Sequence, residues 1–169
     1  MIRMWLTAGV AALAMTASIQ AQEDRWVEEI MQADRDFAAM AAQGSIPDAF
    51  AHFMDADEGR LVRGTAQPLI GEAQIRGNFD GLPETTLLHW EPLEGFASAA
   101  GDMGTTWGVW SLHVDGDRNS APAARGTYVT LWHRNAEGEW RGLLDMGTND
   151  PSYRPPQPEA DSQSAPEDD

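Results

Sequence analysis

Cysteine and lysine are both missing from this chain. Without cysteine there is no disulfide, no thiol nucleophile and no lipoprotein-type export signal, which needs a cysteine to acylate. Without lysine there is no Schiff-base chemistry, no anchor for pyridoxal phosphate and no phosphate-loop ammonium. The 11 basic residues are all arginine and stand against 27 acids, which leaves a net charge of -16. Such a surface repels nucleic acid and anionic lipid and favours solubility. A Gly-x-Ser-x-Gly elbow, a dinucleotide fingerprint and a zincin motif are lacking too. The inventory left for chemistry is Asp, Glu, Arg, Ser, Thr, four His and two Tyr.

Long apolar runs are also scarce, and the one that stands out opens the chain. Residues 1–21 run from Arg3 through an apolar stretch, Met4 to Ala17, to small and polar residues ending at Ala21. The stretch is shorter than the roughly 20 residues of a spanning helix, so it reads as a secretory signal peptide cut after Ala21, with Ile19 at position minus three. Removing it deletes one arginine and no acid, takes the net charge to about -17 and leaves no segment for a membrane. The expected location is periplasmic or secreted. Residues 151–169, rich in proline and acid, are expected to be disordered or loosely extended. Between them lie residues 22–150, enough for one domain with one core.

Within that domain, Trp26, Ile30, Ala33, Phe37 and Ala41 recur at three- and four-residue steps and predict an amphipathic helix from Glu23 to Gln43, ended by Gly44. Ser45-Ile46-Pro47-Asp48 starts a short second helix through Phe50 and Phe53. Arg60 to Thr65 is a short strand, and Glu72 to Asp80 a third helix. Leu87 to Phe96 is a strand interrupted near Pro92, whose missing amide calls for a bulge or bend. In the next strand, Thr105 to Val114, residues Trp107, Val109, Ser111 and His113 point one way and Trp110 and Leu112 the other, so both faces are expected to be covered. Thr127 to Arg134 and Trp140 to Met146 alternate apolar and polar residues around Asn135-Ala136-Glu137-Gly138-Glu139 and read as a β-hairpin. The order is helix, helix, strand, helix, then four strands that can pair as a meander. It gives an α+β domain with helices on one face of a curved antiparallel sheet.

The runs Ala33-Asp34-Arg35-Asp36-Phe37, Leu69-Ile70-Gly71-Glu72-Ala73-Gln74-Ile75-Arg76, Gly101-Asp102-Met103-Gly104-Thr105, Gly126-Thr127-Tyr128-Val129-Thr130-Leu131-Trp132 and Leu144-Asp145-Met146-Gly147 fall in a familiar order. Together they resemble the nuclear-transport-factor-2-like (NTF2-like, cystatin-like) superfamily, and within it the bacterial SnoaL-like, DUF4440-type proteins. The resemblance implies a cone-shaped curved antiparallel sheet with the N-terminal helices on its concave face and a pocket at the wide end. It implies no single activity, since the superfamily includes isomerases, dehydratases, polyketide cyclases and proteins that only bind. In its ketosteroid-isomerase-like members the first helix offers a tyrosine and the first strand ends in a catalytic aspartate. The nearest positions here hold Phe37 and Arg63, which disfavours that chemistry.

Asp145 sits among Leu143, Leu144 and Met146, and a carboxylate so placed either lines a cavity, where a raised pKa suits a general base, or accepts structural hydrogen bonds beside Arg63 or Arg125. His89 and Glu91 share a strand face and His113 can join them, which makes either a metal site or exposed polar positions; the latter is preferred and no metal or cofactor is expected. His52 and His133 read as surface residues. Asp115, Asp117 and Asn119 begin like a calcium loop, but Ser120 and Gly126 break the pattern, leaving a polar hairpin loop. The aromatic residues divide between core and pocket. The reading that results is an exported domain binding a small, largely apolar molecule, with Trp107, Tyr128, Trp132 and Phe37 shaping the pocket and Asp145 and Arg63 as polar contacts. Two alternatives stand beside it: a cofactor-free lyase, isomerase or cyclase using Asp145 with His113, and a ligand-free homodimer pairing through the outer sheet face.

Overall fold

The structure, a computed structural model, describes residues 5–64 and 66–156, with side chains from residue 20 onward. Helix α1 spans Trp5–Gln43 and α2 spans Ile46–Phe53; β1 (Arg60–Arg63), β2 (Leu69–Ile70) and α3 (Gly71–Gly77) follow, then β3 (Leu87–Ala97), β4 (Met103–His113), β5 (Ala124–Arg134) and β6 (Trp140–Asn149). On α1, residues Ile30, Asp34, Phe37 and Ala41 are buried at the spacing of one helical face. The expected cut after Ala21 falls inside α1, which begins well before the predicted Glu23. Gly44 closes that helix by donating its amide to Met40 O. Ser45 then caps α2, its hydroxyl accepting from the Asp48 amide at 3.3 Å.

The sheet order is β2-β1-β6-β5-β4-β3. Strands β3 to β6 form the expected antiparallel meander, and α1 and α2 pack on its concave face. The sheet is mixed, however, because β1 pairs in parallel with β6, Leu61 opposite Asp145 and Arg63 opposite Gly147. The meander leaves β6 with one free edge, and the turn after α2 delivers β1 to it in the same direction. The two residues of β2 then pair antiparallel on the outer edge of β1. Register shifts at Pro92/Glu94 and at Leu131/Trp132 bend the sheet around the helices.

Trp90, Thr106, Tyr128, Thr130, Trp132 and Asp145 are buried on the concave side. The convex side is bare, which corrects the expectation that β4 is covered on both faces: Trp107 and Val109 are 38% and 41% exposed. Arg134 fastens the β5–β6 hairpin to α1. Its guanidinium lies 4.9 Å from the Trp26 ring and 4.4 Å from the Trp140 ring and pairs with Glu29. In the hairpin turn, Asn135 Oδ1 accepts from the amides of Glu137 and Glu139, and Gly138 takes the left-handed conformation.

The start of the expected loose tail is held in place. The Tyr153 hydroxyl donates to Pro122 O at 2.6 Å and its ring lies under the Arg125 guanidinium at 4.5 Å. Residues 157–169, the rest of that expectation, lie outside the described residues, as do residues 1–4. Among the described residues no helix is long and apolar enough to cross a membrane.

Candidate functional site

The concave face of the sheet, the end of α2 and the segment after α3 enclose a cavity of about 250 Å³. Phe50 reaches it from α2, Phe79 and Leu82 from the segment after α3, and Leu88, Trp90, Trp110 and Leu112 from β3 and β4. Against this apolar wall stand a few polar groups: Tyr128, Asp145 and Arg63, with Asn78 and Asn149. That composition, mostly apolar with a few polar groups converging, is typical of a small-molecule site.

Asp145 is the carboxyl group on the sheet floor. Its Oδ2 accepts from the Thr130 hydroxyl at 2.9 Å and its Oδ1 from Arg63 Nη1 at 3.2 Å. Burial raises its pKa, and this outweighs the lowering by the Arg63 charge and by both hydrogen bonds. The Arg63 side chain is about a third exposed, so the pair is partly screened by solvent.

A second buried carboxylate stands behind the aromatic wall. Asp34, on the core face of α1, accepts from Trp90 Nε1 and from the Tyr128 hydroxyl, each at 2.8 Å. Its pKa too is raised by burial, against the lowering by bonds from Thr106, Trp90 and Tyr128. The Tyr128 hydroxyl is pushed up by burial and then by the Asp34 charge, so it stays a neutral phenol with its proton aimed at Asp34. Asp34 thereby fixes two residues that line the cavity, Trp90 and Tyr128.

The predicted site residues divide into three groups. Arg63, Tyr128 and Asp145 meet at the cavity. Phe37 and Trp132 lie behind it: Phe37 packs edge-on against Phe50 and Trp90, and Trp132 is wholly buried with its Nε1 donating to Thr106 at 2.9 Å. Trp107 and His113 are on the other side of the sheet. Trp107 alternates with the concave residues of β4 and donates to Glu94, and His113 bonds to Ser111 and Ser120. The expected pairing of Asp145 with His113 is therefore corrected: the register sets Asp145 beside Thr130 and Thr130 beside Thr106, on the face of β4 that carries Trp110 and Leu112, and His113 alternates to the other face. His133 is half-buried, not a surface residue, and bonds Asp55 at 2.9 Å. His89, Glu91 and His113 line one groove, and among the described residues no group of three such side chains is placed to hold a metal ion.

Sequence reasoning passed over Asp34 and Thr130, and had Trp90 and Trp110 only among the aromatic residues to be divided between core and pocket. For Asp34 a signal was available: it sits four residues after Ile30 and three before Phe37, on the apolar stripe itself, where an acid requires hydrogen-bond partners.

The sequence matches no family model and no curated protein. Solved structures share the fold. An NTF2-like protein with a cystatin-like fold from Novosphingobium aromaticivorans superposes with a TM-score of 0.59 at 17% identity, covering 89% of this chain and 94% of that one. A ketosteroid isomerase-like protein from Erwinia carotovora atroseptica gives 0.58 at 15% identity, covering 73% and 95%. A protein of unknown function with a cystatin-like fold from Nostoc punctiforme gives 0.55 at 18% identity, covering 73% and 90%. The chain thus has the α+β, NTF2-like fold, and the likeness carries no activity with it.

Proposed function

We propose that this protein is an exported, SnoaL-like, DUF4440-type domain that binds a small, largely apolar molecule in the concave cavity. The observation that carries the reading is the aromatic wall of the cavity with Asp145, Arg63 and Tyr128 converging on it. Size narrows the ligand. At a packing density of about 0.74, a cavity of about 250 Å³ accommodates roughly 185 Å³ of molecule, the scale of a bicyclic aromatic or a ten-carbon terpenoid. The polar end favours a ligand bearing one hydroxyl or carbonyl, the former donating to Asp145 and the latter accepting from Arg63.

Trp90 and Trp110 line the cavity and report on its contents. Intrinsic fluorescence is to be titrated with 2-naphthol, geraniol, a medium-chain fatty acid and a steroid. Saturable quenching by the first two, weakened by Asp145→Asn, is the expected result; no quenching by any of the four sinks the reading. Export is checked by N-terminal sequencing of the periplasmic or secreted product, which should begin at Gln22.

The raised pKa of Asp145 favours a second reading, in which that carboxylate is the general base of a cofactor-free lyase, isomerase or cyclase. It requires a rate with a carbonyl substrate that Asp145→Asn abolishes, and binding without turnover excludes it. The bare convex face, with Phe96, Trp107, Val109 and Met146 all exposed, supports pairing with a second copy of the chain.

A further inference from the structure

On the convex side, bordering the cavity only at Trp110 and Asn149, a groove of about 820 Å³ runs between the sheet and the β4–β5 loop. We propose that this groove is a separate hydrolytic site for short carboxylic esters, in which Ser111 is the nucleophile and His113 its general base.

Ser111 and His113 are two apart on β4 and so share a face, and both line the groove. Ser111 Oγ lies 3.1 Å from His113 Nε2, and His113 Nδ1 lies 3.3 Å from Ser120 Oγ. Ser120 Oγ in turn lies 2.9 Å from Asp115 Oδ1 and 2.8 Å from Asp117 O. The proton directions follow from the partners. Asp117 O is an acceptor only, and Asp115, with its pKa lowered first by the Asp117 amide and then by Ser120, is an ionised acceptor as well. The one proton of Ser120 is therefore spent on them, so Ser120 must accept from His113 Nδ1–H. That leaves Nε2 bare, facing the Ser111 hydroxyl. Every bond in the chain Ser111, His113, Ser120, Asp115 donates in the same direction, toward the carboxylate. This is the arrangement of nucleophile, base and orienting group that activates a serine.

The loop that supplies the far end of this chain is internally braced. Asp115 Oδ1 accepts from the Asp117 amide at 3.1 Å, Asp117 Oδ1 from the Asn119 amide at 2.8 Å, and Gly116 turns at φ +76. Ser120 and Asp115 are positioning residues, which hold the imidazole with Nε2 toward Ser111. Arg118 lines the same groove, and among the described residues its guanidinium has no hydrogen bond or ion pair, whereas Arg125 is taken by Asp150. Arg118 is the cation available to an oxygen that gains charge in the reaction.

In the first step Ser111 Oγ bonds to the carbonyl carbon as its proton passes to Nε2. The ester C–O bond then breaks and the alcohol departs with that proton. A water, deprotonated by Nε2, attacks the acyl carbon, and the bond to Oγ breaks as Oγ takes that proton back from Nε2, which releases the carboxylic acid and restores Ser111 and His113, so ester and water become acid and alcohol.

The test uses the full folded chain with a fluorophosphonate probe, which phosphonylates activated serines with loss of fluoride, and with 4-nitrophenyl acetate. Peptide mass spectrometry should place one phosphonyl group on Ser111, and Ser111→Ala should carry none. His113→Gln should slow labelling about 100-fold or more. Ser120→Ala should slow it about tenfold and Ser120→Thr should restore it, with the rise of rate with pH kept in the parent and in Ser120→Thr. Absence of label on Ser111 in the folded parent overturns the proposal, as does a labelling rate that His113→Gln leaves unchanged. Should His113→Gln fail to fold, equal rates for Ser120→Ala and the parent overturn it instead.

Discussion

Asp34 shows how one residue couples core to site. Its two carboxylate oxygens satisfy Trp90 Nε1 and the Tyr128 hydroxyl, both buried. Replacing it with leucine strands the Trp90 and Tyr128 donors at about 1–3 kcal/mol each and removes the bond from Thr106 as well, so Asp34→Leu should lower unfolding stability by at least roughly 2–6 kcal/mol in urea denaturation. Asp34→Asn keeps an acceptor for Trp90 and a donor for the Tyr128 oxygen, and should cost much less. Equal losses for the two variants would show that the hydrogen bonds contribute little. Asp34 and Asp145 also set a pH dependence. Both have folded pKa values raised above the ordinary 3.8, so from there up to their folded values the native state holds more protons than the unfolded chain, and stability falls as pH rises. Asp55 and Asp150 are lowered, Asp150 to about 2, and their stabilisation is lost as pH falls below the ordinary value. Urea midpoints should therefore fall as pH is raised from the ordinary carboxylate value, against the rise that the lowered pKa of His89 gives below 6.5, and the Asp34→Asn, Asp145→Asn double variant should flatten that fall. Asp145 was legible in the sequence because it interrupts an apolar strand. Asp34 was legible in principle but hidden, since it shares its turn of α1 with Asp36 and Arg35, which are not buried.

At the scale of elements, period-2 and period-3.6 patterning located the meander and the buried stretch of α1, because one face of each is packed and the other is not. What patterning could not give was β1 beside β6 in parallel, since pairing partners far apart in sequence leave no local periodicity. Nor could it say which face of β4 is bare, because Trp107 and Trp110 are equally bulky and only the placement of the helices decides between them. Glycines on β4 and β5 matter as much as the aromatic residues. A Cβ on Gly108 would collide with Glu91 O, and one on Gly126 with Thr148 O, both backbone atoms that cannot yield without moving a neighbouring strand. Gly108→Ala and Gly126→Ala should each destabilise by about 2 kcal/mol or more, the scale of strain from overpacking. Gly142→Ala meets the flexible Met54 side chain instead and should cost less. Thermal denaturation of the three variants checks the ranking, and a Gly142→Ala loss as large as the other two would contradict it. The cavity follows from the same geometry. Gly147 lines the cavity two residues from Asp145, and a Cβ there would meet Arg63 Nη1 at 3.3 Å and Trp110 Nε1 at 3.5 Å, so the missing side chain leaves room beside the carboxylate.

For the whole molecule, the open question raised by the sheet is what its convex face does. Cross-strand rows set Trp107 beside Val129, and Val129 beside Met146 and then Val62; a second row sets Phe96 beside Thr105, Leu131 and Leu144. These rows are apolar and partly exposed, which suits pairing with another copy through a twofold contact. Charge opposes the pairing, because each copy carries a net charge of -16 and like-charged bodies repel. The two effects predict a definite salt dependence. An apolar interface between two acidic copies should strengthen as salt screens the repulsion, over a Debye length that shrinks from about 30 Å at 0.01 M to about 8 Å at 0.15 M. An interface held by ion pairs would weaken instead. Sedimentation equilibrium across that range should therefore show a dimer population that rises with salt. Phe96→Glu with Trp107→Glu should hold the chain monomeric at every salt concentration while cavity binding of 2-naphthol persists. A monomer throughout in the parent removes the dimer from the proposal, and a dimer that dissolves as salt rises assigns the contact to charged groups rather than to this face.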